Sequence, residues 1–296
     1  MAITQEYKYF KPASIDETLA LLAEFKNSAI LAGGTDLIVN LKEGIATPDA
    51  VIDIKGLDDF KKIEFRDNRL IVGALVTFAE LLESKVVKNK FPLVMETCNT
   101  VGSMGVRNRA TMVGNICSAV PSLDSGPLLS VYEAEVFVKS SSSERKIAVS
   151  NWFVGPKETS LKNGELVTGI SIPFPAKKHA GCYVRLGRYW GEDLAQVGVS
   201  ILAFSDNSYR IAFGAVAPVP IRAKKIEALL NGRQLDNSLI DRAKKVVPDE
   251  ISPITDIRSS KEYRLHVANV MLERGLNAAY SRLNGGGPEY GTNLLA

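Results

Sequence analysis

A short stretch from Pro173 to Lys178 contains two prolines and two lysines, and it interrupts both helix and strand patterns. Before it, apolar spacing predicts helices alternating with short strands, which together make a complete α+β unit. After it, a second unit begins with strand patterns and ends with helix patterns. The sequence therefore predicts an α+β protein with one domain at residues 1–176 and another at 177–284.

Local sequence patterns predict several secondary-structure elements of the first domain. Ser14-Ile15-Asp16-Glu17 has the pattern of a helix-capping box. Two apolar runs that flank Asp67-Asn68 predict a β-hairpin. A helix is predicted from about Pro92 to Thr100, whereas Val101 to Asp124 has little periodicity and is predicted to be irregular.

The second domain is predicted to be a small antiparallel sheet followed by helices. Its three strand patterns cover Tyr183–Tyr189, Val197–Ser205 and Arg210–Val216. Three helices are predicted to begin near Ile221, Asn237 and Ser259. Residues 285–296 are glycine-rich at their start and are predicted to be a flexible tail, with docking of Leu294-Leu295 on a partner as the alternative.

Composition and charge exclude several classes of protein. The 296 residues include 36 basic and 33 acidic ones, giving a formal net charge of +3, and the basic residues are interspersed with acids. This pattern disfavours nucleic-acid binding. No apolar run approaches the roughly 18 residues of a membrane span, and the N-terminal residues lack the pattern of a secretory signal. We therefore expect a cytoplasmic protein with no membrane span.

Cysteine and histidine are too sparse for most metal chemistry. The three cysteines lack C-x-x-C spacing, so they cannot form a four-cysteine zinc site or a complete iron–sulfur site. The two histidines, His179 and His266, belong to no metal-binding or hydrolase motif. The sequence predicts no metal site and no catalytic residue on this chain.

The segment Ala32-Gly33-Gly34-Thr35-Asp36 follows a short apolar strand. Paired glycines allow successive backbone N–H groups to point into one concavity, and such a nest binds anions such as a diphosphate. An ordinary tight turn is the alternative interpretation of the same residues. No G-x-G-x-x-G or phosphate-loop motif occurs in the chain, which leaves a Rossmann or P-loop protein unsupported.

A second polar segment runs from Arg107 to Asp124. Thr111, Asn115 and Ser118 offer short hydrogen-bonding side chains, and Asp124 could accept hydrogen bonds from a pair of hydroxyl groups. Loops of this length are usually functional, although a solvated surface loop is the alternative. Further along the chain, Arg185 could stabilise negative charge on a reduced cofactor, or simply pair with Glu192 or Asp193.

Four pieces of sequence, taken together, resemble the FAD-binding subunit of the molybdenum hydroxylases, the family that includes carbon monoxide, nicotinate and xanthine dehydrogenases. The resemblance covers nearly the whole chain. Its specific pieces are Ala32–Leu37, Gly73–Thr77, Arg107–Asp124 and Ile257–Arg264.

The resemblance implies an FAD-binding fold of the vanillyl-alcohol oxidase type, with subdomains at about 1–56 and 57–176, followed by the family's C-terminal domain. It also implies that two loops, Ala32–Asp36 and Thr111–Asn115, hold the FAD diphosphate. Val101, Gly102 and Ala110 would line the flavin, Ile170 would contact its ring, and Arg185 would lie near its N1. The implied FAD-binding residues are Leu31, Ala32, Gly33, Gly34, Thr35, Asp36, Leu37, Val101, Gly102, Ala110, Thr111, Val113, Gly114, Asn115, Cys117, Ser118, Asp124, Ile170 and Arg185.

Two positions depart from the family pattern. Val113 stands where the family commonly has glycine, which predicts a backbone farther from the phosphates at that point. Arg185 stands where the family often has lysine, which keeps the charge but changes its geometry.

The resemblance further implies an electron-transfer role. Electrons would pass from iron–sulfur clusters through FAD to an external acceptor. The partners would be a small [2Fe–2S] subunit and a large molybdopterin subunit, arranged as a dimer of heterotrimers. A stand-alone FAD oxidoreductase of the same fold is one alternative, and the scarcity of histidine counts against it. A docking subunit without flavin is the other.

Overall fold

The computed structural model describes residues 3–189 and 193–295. The chain begins with a small unit that contains a three-stranded parallel sheet in the order β1-β3-β2. Two helices connect these strands, and the Ser14 hydroxyl accepts a hydrogen bond from the Glu17 N–H to cap the first of them. The elements are β1 (Lys8–Phe10), α1 (Ile15–Glu24), β2 (Ser28–Leu31), α2 (Leu37–Lys42) and β3 (Ala50–Asp53).

The next unit is a five-stranded antiparallel sheet in the order β4-β5-β10-β6-β7, with helices packed on it. Its strands are β4 (Ile63–Arg66), β5 (Arg69–Gly73), β6 (Glu135–Lys139), β7 (Glu144–Ala148) and β10 (Leu166–Pro173), and a separate hairpin is formed by β8 (Phe153–Gly155) and β9 (Glu158–Thr159). Its helices are α3 (Phe78–Glu83), α4 (Lys85–Lys90), α5 (Pro92–Asn99), α6 (Met104–Arg107), α7 (Met112–Ser118) and α8 (Ser125–Tyr132), and 3-10 turns cover Asp58–Lys61 and Val149–Asn151.

Of the two structural predictions made for this unit, one is confirmed and the other is wrong in part. The hairpin predicted around Asp67-Asn68 is confirmed, because both residues have positive φ and join β4 to β5. The prediction that Val101–Asp124 is irregular is wrong in part, because α6 and α7 lie inside this stretch. Both helices are too short to show a clear periodicity, but they begin at the hydroxyl caps Ser103 and Thr111.

The C-terminal unit has a four-stranded antiparallel sheet, where the sequence predicted three strands. Its strands are β11 (His179–Leu186), β12 (Val197–Phe204), β13 (Tyr209–Gly214) and β14 (Ile221–Arg222), and its helices are α9 (Lys224–Leu230), α10 (Asn237–Val246) and α11 (Lys261–Leu283), with a 3-10 turn at Val247–Asp249. The helix predicted from about Ile221 begins instead at Lys224. Ile221 and Arg222 form β14 instead and pair with Phe213 and Ala212, and pairing between distant strands cannot be recognised from local sequence.

The glycine-rich tail differs from its predicted flexibility, because it contacts the body of the chain. The Tyr290 hydroxyl accepts a hydrogen bond from the Gly181 N–H at 3.0 Å. Leu294 and Leu295 pack against the core of the C-terminal unit itself, rather than standing free. Left-handed backbone at Gly285 and Gly287 allows the chain to turn back after α11.

Candidate FAD-binding cavity

One cavity of about 690 Å³ lies where the three units meet, and this volume falls within the usual range for bound small molecules and cofactors. Most of the predicted site residues border it. They are Ala32, Gly33, Gly34, Thr35, Asp36, Leu37, Val101, Gly102, Ala110, Thr111, Val113, Gly114, Asn115, Cys117, Ser118, Asp124 and Arg185. The structure thus brings together residues that are separated by about half the chain.

The glycine loop, residues 32–36, connects β2 to α2 along one wall of the cavity. Gly34 has φ of +77°, a left-handed conformation that favours glycine. Within the described part of the chain, the backbone N–H groups of Gly33, Gly34, Thr35, Asp36 and Leu37 have no hydrogen-bond partner. Consecutive unpaired amides beside a cavity are the donor set that an anionic group such as a diphosphate requires.

The second wall is the segment that enters α7. The Thr111 hydroxyl accepts a hydrogen bond from the Gly114 N–H at 2.9 Å, which caps the helix. The Asn115 amide oxygen accepts from the Ser125 hydroxyl, so the side chain is held from behind. Among the described residues, the N–H of Val113 has no partner. This wall therefore adds one more unpaired backbone donor to those of the glycine loop.

The two walls touch each other directly. A Cβ atom built on Gly33 would lie 1.9 Å from the backbone oxygen of Arg109, so only glycine permits this approach. Farther along, the Ser118 hydroxyl donates a hydrogen bond to the Asp36 carboxylate. The two loops are therefore held in a fixed relation, and both border the same space.

Val113, which stands where the family commonly has glycine, lies in the first turn of α7. Its side chain is 4% exposed and belongs to the main hydrophobic core. The residue nevertheless borders the cavity. Packing of the isopropyl group into the core leaves the backbone of this turn beside the cavity.

A buried polar cluster forms another part of the wall. The Asp124 carboxylate accepts hydrogen bonds from the Tyr183 hydroxyl at 2.6 Å and from the Arg185 Nε at 2.9 Å. The side chains of Asp124 and Arg185 are each only 10% exposed. Burial raises the pKa of Asp124, and the neighbouring Arg185 charge and the Tyr183 hydrogen bond oppose this shift.

The predicted alternative partners of Arg185 are corrected by this geometry. Its guanidinium pairs with Asp124 and donates a hydrogen bond to the backbone oxygen of Asp193, and within the described residues it makes no ion pair with the Asp193 carboxylate. Glu192, the other predicted partner, lies outside the described residues. Since Asp124 is far from Arg185 in sequence, its pairing with β11 could not be read from local spacing.

Two predicted site residues do not border the cavity. Ile170 is fully buried in the middle of the five-stranded sheet, where it pairs with Val72 and Val136. Leu31 packs in a small core beneath the glycine loop. The cavity is instead bordered at the start of β10 by Leu166 and Val167, which the sequence analysis missed.

The segment that leads into β10 is itself held in place. The Glu165 carboxylate accepts two hydrogen bonds from the Arg145 guanidinium, each at 2.8 Å, and one from the Lys162 N–H at 2.7 Å. The Arg145 ion pair and hydrogen bonds hold the pKa of Glu165 below its ordinary value. This clamp fixes residues 161–167 along one side of the cavity.

Other missed residues carry polar groups. Tyr183 contributes the hydroxyl that binds Asp124. Ser122 borders the cavity, and its buried hydroxyl has no partner within the described residues. Lys26 and Ser28 border the cavity near β2. Tyr183 and Ser28 lie in strands, whose alternation shows only the face on which a residue lies, and Lys26 and Ser122 lie in connecting segments. None of them could be separated from ordinary structural residues by sequence alone.

Cys117 borders the cavity. Burial raises the pKa of the Cys117 thiol to about 12, which keeps it protonated and unreactive at neutral pH. No cluster of three or more potential metal-ligating side chains occurs in residues 3–189 and 193–295. The same residues contain no helix that is long and apolar enough to cross a membrane.

Comparison with known proteins identifies the family. Residues 5–175 match the model of the FAD binding domain in molybdopterin dehydrogenase, and residues 183–279 match that of the CO dehydrogenase flavoprotein C-terminal domain. The glyceraldehyde dehydrogenase medium chain of Sulfolobus acidocaldarius is 32% identical over 90% of this chain and 95% of its own length. The carbon monoxide dehydrogenase medium chain of Afipia carboxidovorans is 29% identical over 95% and 99% of the two chains.

Comparison with a solved structure indicates the same family as the sequence relatives do. A chain of carbon monoxide dehydrogenase from Hydrogenophaga pseudoflava superposes with a TM-score of 0.91 at 28% identity, covering 95% of this chain and 99% of that one. The fold and the cavity define a flavoprotein subunit. The chain belongs to the family of FAD-binding subunits of molybdenum-containing dehydrogenases, and is thus a subunit of an FAD-dependent oxidoreductase.

The residues present fit FAD. Unpaired backbone amides occur on two adjoining loops, and they can receive the two phosphate charges without a lysine cluster. The unsatisfied Ser122 hydroxyl offers one more hydrogen-bonding group beside the same space. Apolar residues such as Val101, Ala110 and Leu166 provide surfaces for flat rings.

Proposed function

We propose that this chain passes electrons from iron–sulfur clusters on a partner subunit through FAD to an external acceptor. The observation that carries the proposal is the cavity of about 690 Å³, which has backbone amides without partners, within the described residues, on two adjoining walls and a buried charged cluster on another part of its wall. FAD, once bound, supplies the redox chemistry, because it can exchange either one or two electrons.

The roles of the chain's own residues follow from their positions along the cavity. The N–H groups of Gly33–Leu37 and Val113 bind the diphosphate. Asp124 accepts hydrogen bonds from ribityl or ribose hydroxyl groups, and Val101, Gly102 and Ala110 contact the flavin rings. Arg185 supplies a positive charge that favours the more negative reduced cofactor. Leu166 and Val167 take the ring-contacting role first assigned to Ile170.

The proposed partners are a small [2Fe–2S] subunit and a large molybdopterin subunit, assembled as a dimer of heterotrimers. Relatives are named as medium chains of carbon monoxide dehydrogenases and of a glyceraldehyde dehydrogenase, which supports a complex of unlike subunits.

Purification of the chain with and without co-expressed partners tests this function. We expect the yellow colour of oxidised flavin, one FAD per chain, and molybdenum and iron only in the co-purified complex. A colourless chain that cannot take up added FAD would contradict the proposal. Substrate turnover by the isolated chain would favour the stand-alone oxidoreductase instead.

A further inference from the structure

A group of buried contacts near the C-terminus connects the FAD-binding part of the chain to the C-terminal domain. We call it the C-terminal brace, and it consists of Glu96 on α5, Arg282 on α11 and the tail residues 288–291. The Arg282–Glu96 ion pair has an N–O distance of 2.9 Å, and both side chains are 4% exposed. An ion pair buried to this degree requires its remaining hydrogen bonds to be satisfied.

Every N–H group of the Arg282 guanidinium has an acceptor. Nη1 and Nη2 donate to Glu96, and Nη1 also donates to the Gly181 oxygen at 2.8 Å. Nε and Nη2 donate to the backbone oxygens of Pro288 and Glu289, each at 2.8 Å. The guanidinium also lies 4.1 Å from the ring centroid of Tyr290. The tail therefore supplies the remaining hydrogen-bond acceptors of the buried Arg282 guanidinium.

Glu96 carries the connection onward to the cavity. Its carboxylate accepts hydrogen bonds from the Gly291 N–H at 2.9 Å and from the Tyr183 N–H at 2.7 Å. The side chain of the same Tyr183 donates its hydroxyl proton to Asp124 at 2.6 Å. Tyr183 is thus held at its backbone by the brace and at its hydroxyl by a residue of the cavity wall.

We propose that the C-terminal brace positions β11, and through it Tyr183, Arg185 and Asp124, at the flavin-binding cavity. Glu96 and Arg282 are positioning residues in this proposal, which rests on the FAD-binding function proposed above. The Tyr290 hydroxyl, which accepts from the Gly181 N–H, fixes the same strand two residues before Tyr183. The tail is then part of the cofactor site's support.

Two shortened chains provide the matched test. A chain that ends at Gly287 loses the tail contacts to Arg282 and Glu96, whereas a control that ends at Asn293 keeps them and loses only Leu294, Leu295 and Ala296. We expect the FAD dissociation constant to rise about tenfold for the first chain and to stay within about twofold for the control. Flavin circular dichroism and the reduction potential should change only in the first.

The route through Tyr183 is tested by a double-mutant cycle. Tyr183→Phe removes the hydroxyl that binds Asp124, so the additional loss of affinity on shortening to Gly287 should be smaller in that background. If the shortened chain does not fold, the full-length variant Tyr290→Phe serves as the test. It removes only the hydroxyl that accepts the hydrogen bond from the Gly181 N–H, and it is expected to weaken FAD binding about threefold.

The outcomes separate the brace from the function on which it rests. Equal affinity, flavin spectrum and potential in all variants, with normal FAD in the unmodified chain, would overturn the brace proposal alone. A lower melting temperature with an unchanged flavin spectrum and potential would also overturn it, since it would show a purely structural role. An unmodified chain without FAD would overturn the function itself and the brace proposal with it.

Discussion

The two parts of the cavity are built from different chemistry. At the glycine loop and the first turn of α7, the polar groups are backbone N–H donors. Both segments contain glycine and threonine residues. At the other part, Asp124, Tyr183 and Arg185 are side chains from different domains. The first part depends on backbone conformation, and the second on how the domains pack.

This difference predicts how each part responds to substitution. A backbone site should be sensitive to steric change at glycine and insensitive to charge. A side-chain site should respond to charge and should affect redox properties as well as binding. The following variants distinguish these two behaviours.

The largest effect is expected for Gly33→Ala. The added Cβ would lie 1.9 Å from the Arg109 backbone oxygen, and neither backbone segment can yield as a flexible side chain would. The two loops must separate, and FAD affinity should fall about 100-fold or more. The measurement is titration of the cofactor-free protein with FAD.

Gly56→Ala is the matched control for this variant. Its Cβ would meet nothing closer than the Lys11 Cε at 3.8 Å, so affinity should be unchanged. Equal FAD affinity of the Gly33 and Gly56 variants would show that the contact between the two loops is dispensable for cofactor binding.

The same contrast explains what sequence analysis can predict. The glycine loop was recognisable because paired glycines, a preceding apolar strand and a following apolar segment are adjacent. The pairing of Asp124 with Arg185 was not, because it depends on residues 61 positions apart in sequence. The position of Ile170 away from the cavity could not be predicted, because the alternation of β10 does not reveal which end of the strand borders a cavity. Tyr183 and Ser122 looked like ordinary buried residues.

A second large effect, on the stability of the chain rather than on its affinity for FAD, is expected for Asp124→Asn. The substitution leaves the buried Arg185 guanidinium without its carboxylate partner. Loss of one member of a buried pair costs about 3 kcal/mol, measured as the free energy of unfolding without cofactor. Asp58→Asn, at an exposed pair with Lys61, is the control and should leave stability unchanged. Similar stabilities of the two variants would contradict the structural importance of the buried cluster.

Arg185→Ala should act on redox properties, as expected for the side-chain part of the cavity. Removal of the positive charge disfavours the reduced cofactor, so the flavin potential should fall by about 30 mV, equivalent to a tenfold change for a two-electron couple. Asp124→Asn removes a negative charge and should shift the potential upward. Arg185→Lys keeps the charge and should shift it least. An unchanged potential in the alanine variant would exclude this role for Arg185.

The smallest effect is expected for substitution of Glu165, whose ion pair with Arg145 and hydrogen bond to the Lys162 N–H hold residues 161–167 in place. The Arg145 guanidinium holds the pKa of Glu165 below the ordinary value of 4.5. The ionised carboxylate therefore stabilises the folded state above about pH 4.5, and this contribution is lost as the pH falls through the lower folded-state pKa. Glu165→Gln should reduce stability by about 1 kcal/mol or less at pH 7, because Arg145 is partly exposed.

The pH dependence of stability distinguishes the contribution of the Glu165–Arg145 pair from general destabilisation of the protein by acid. The difference in melting temperature between the unmodified chain and Glu165→Gln should be constant from neutral pH down to about pH 5, and should shrink below the ordinary glutamate pKa. Glu144→Gln, at a more exposed pair with Lys139, should show a smaller difference throughout. A Glu165 effect that grows on acidification would have the wrong sign for a carboxylate stabilised in its charged form.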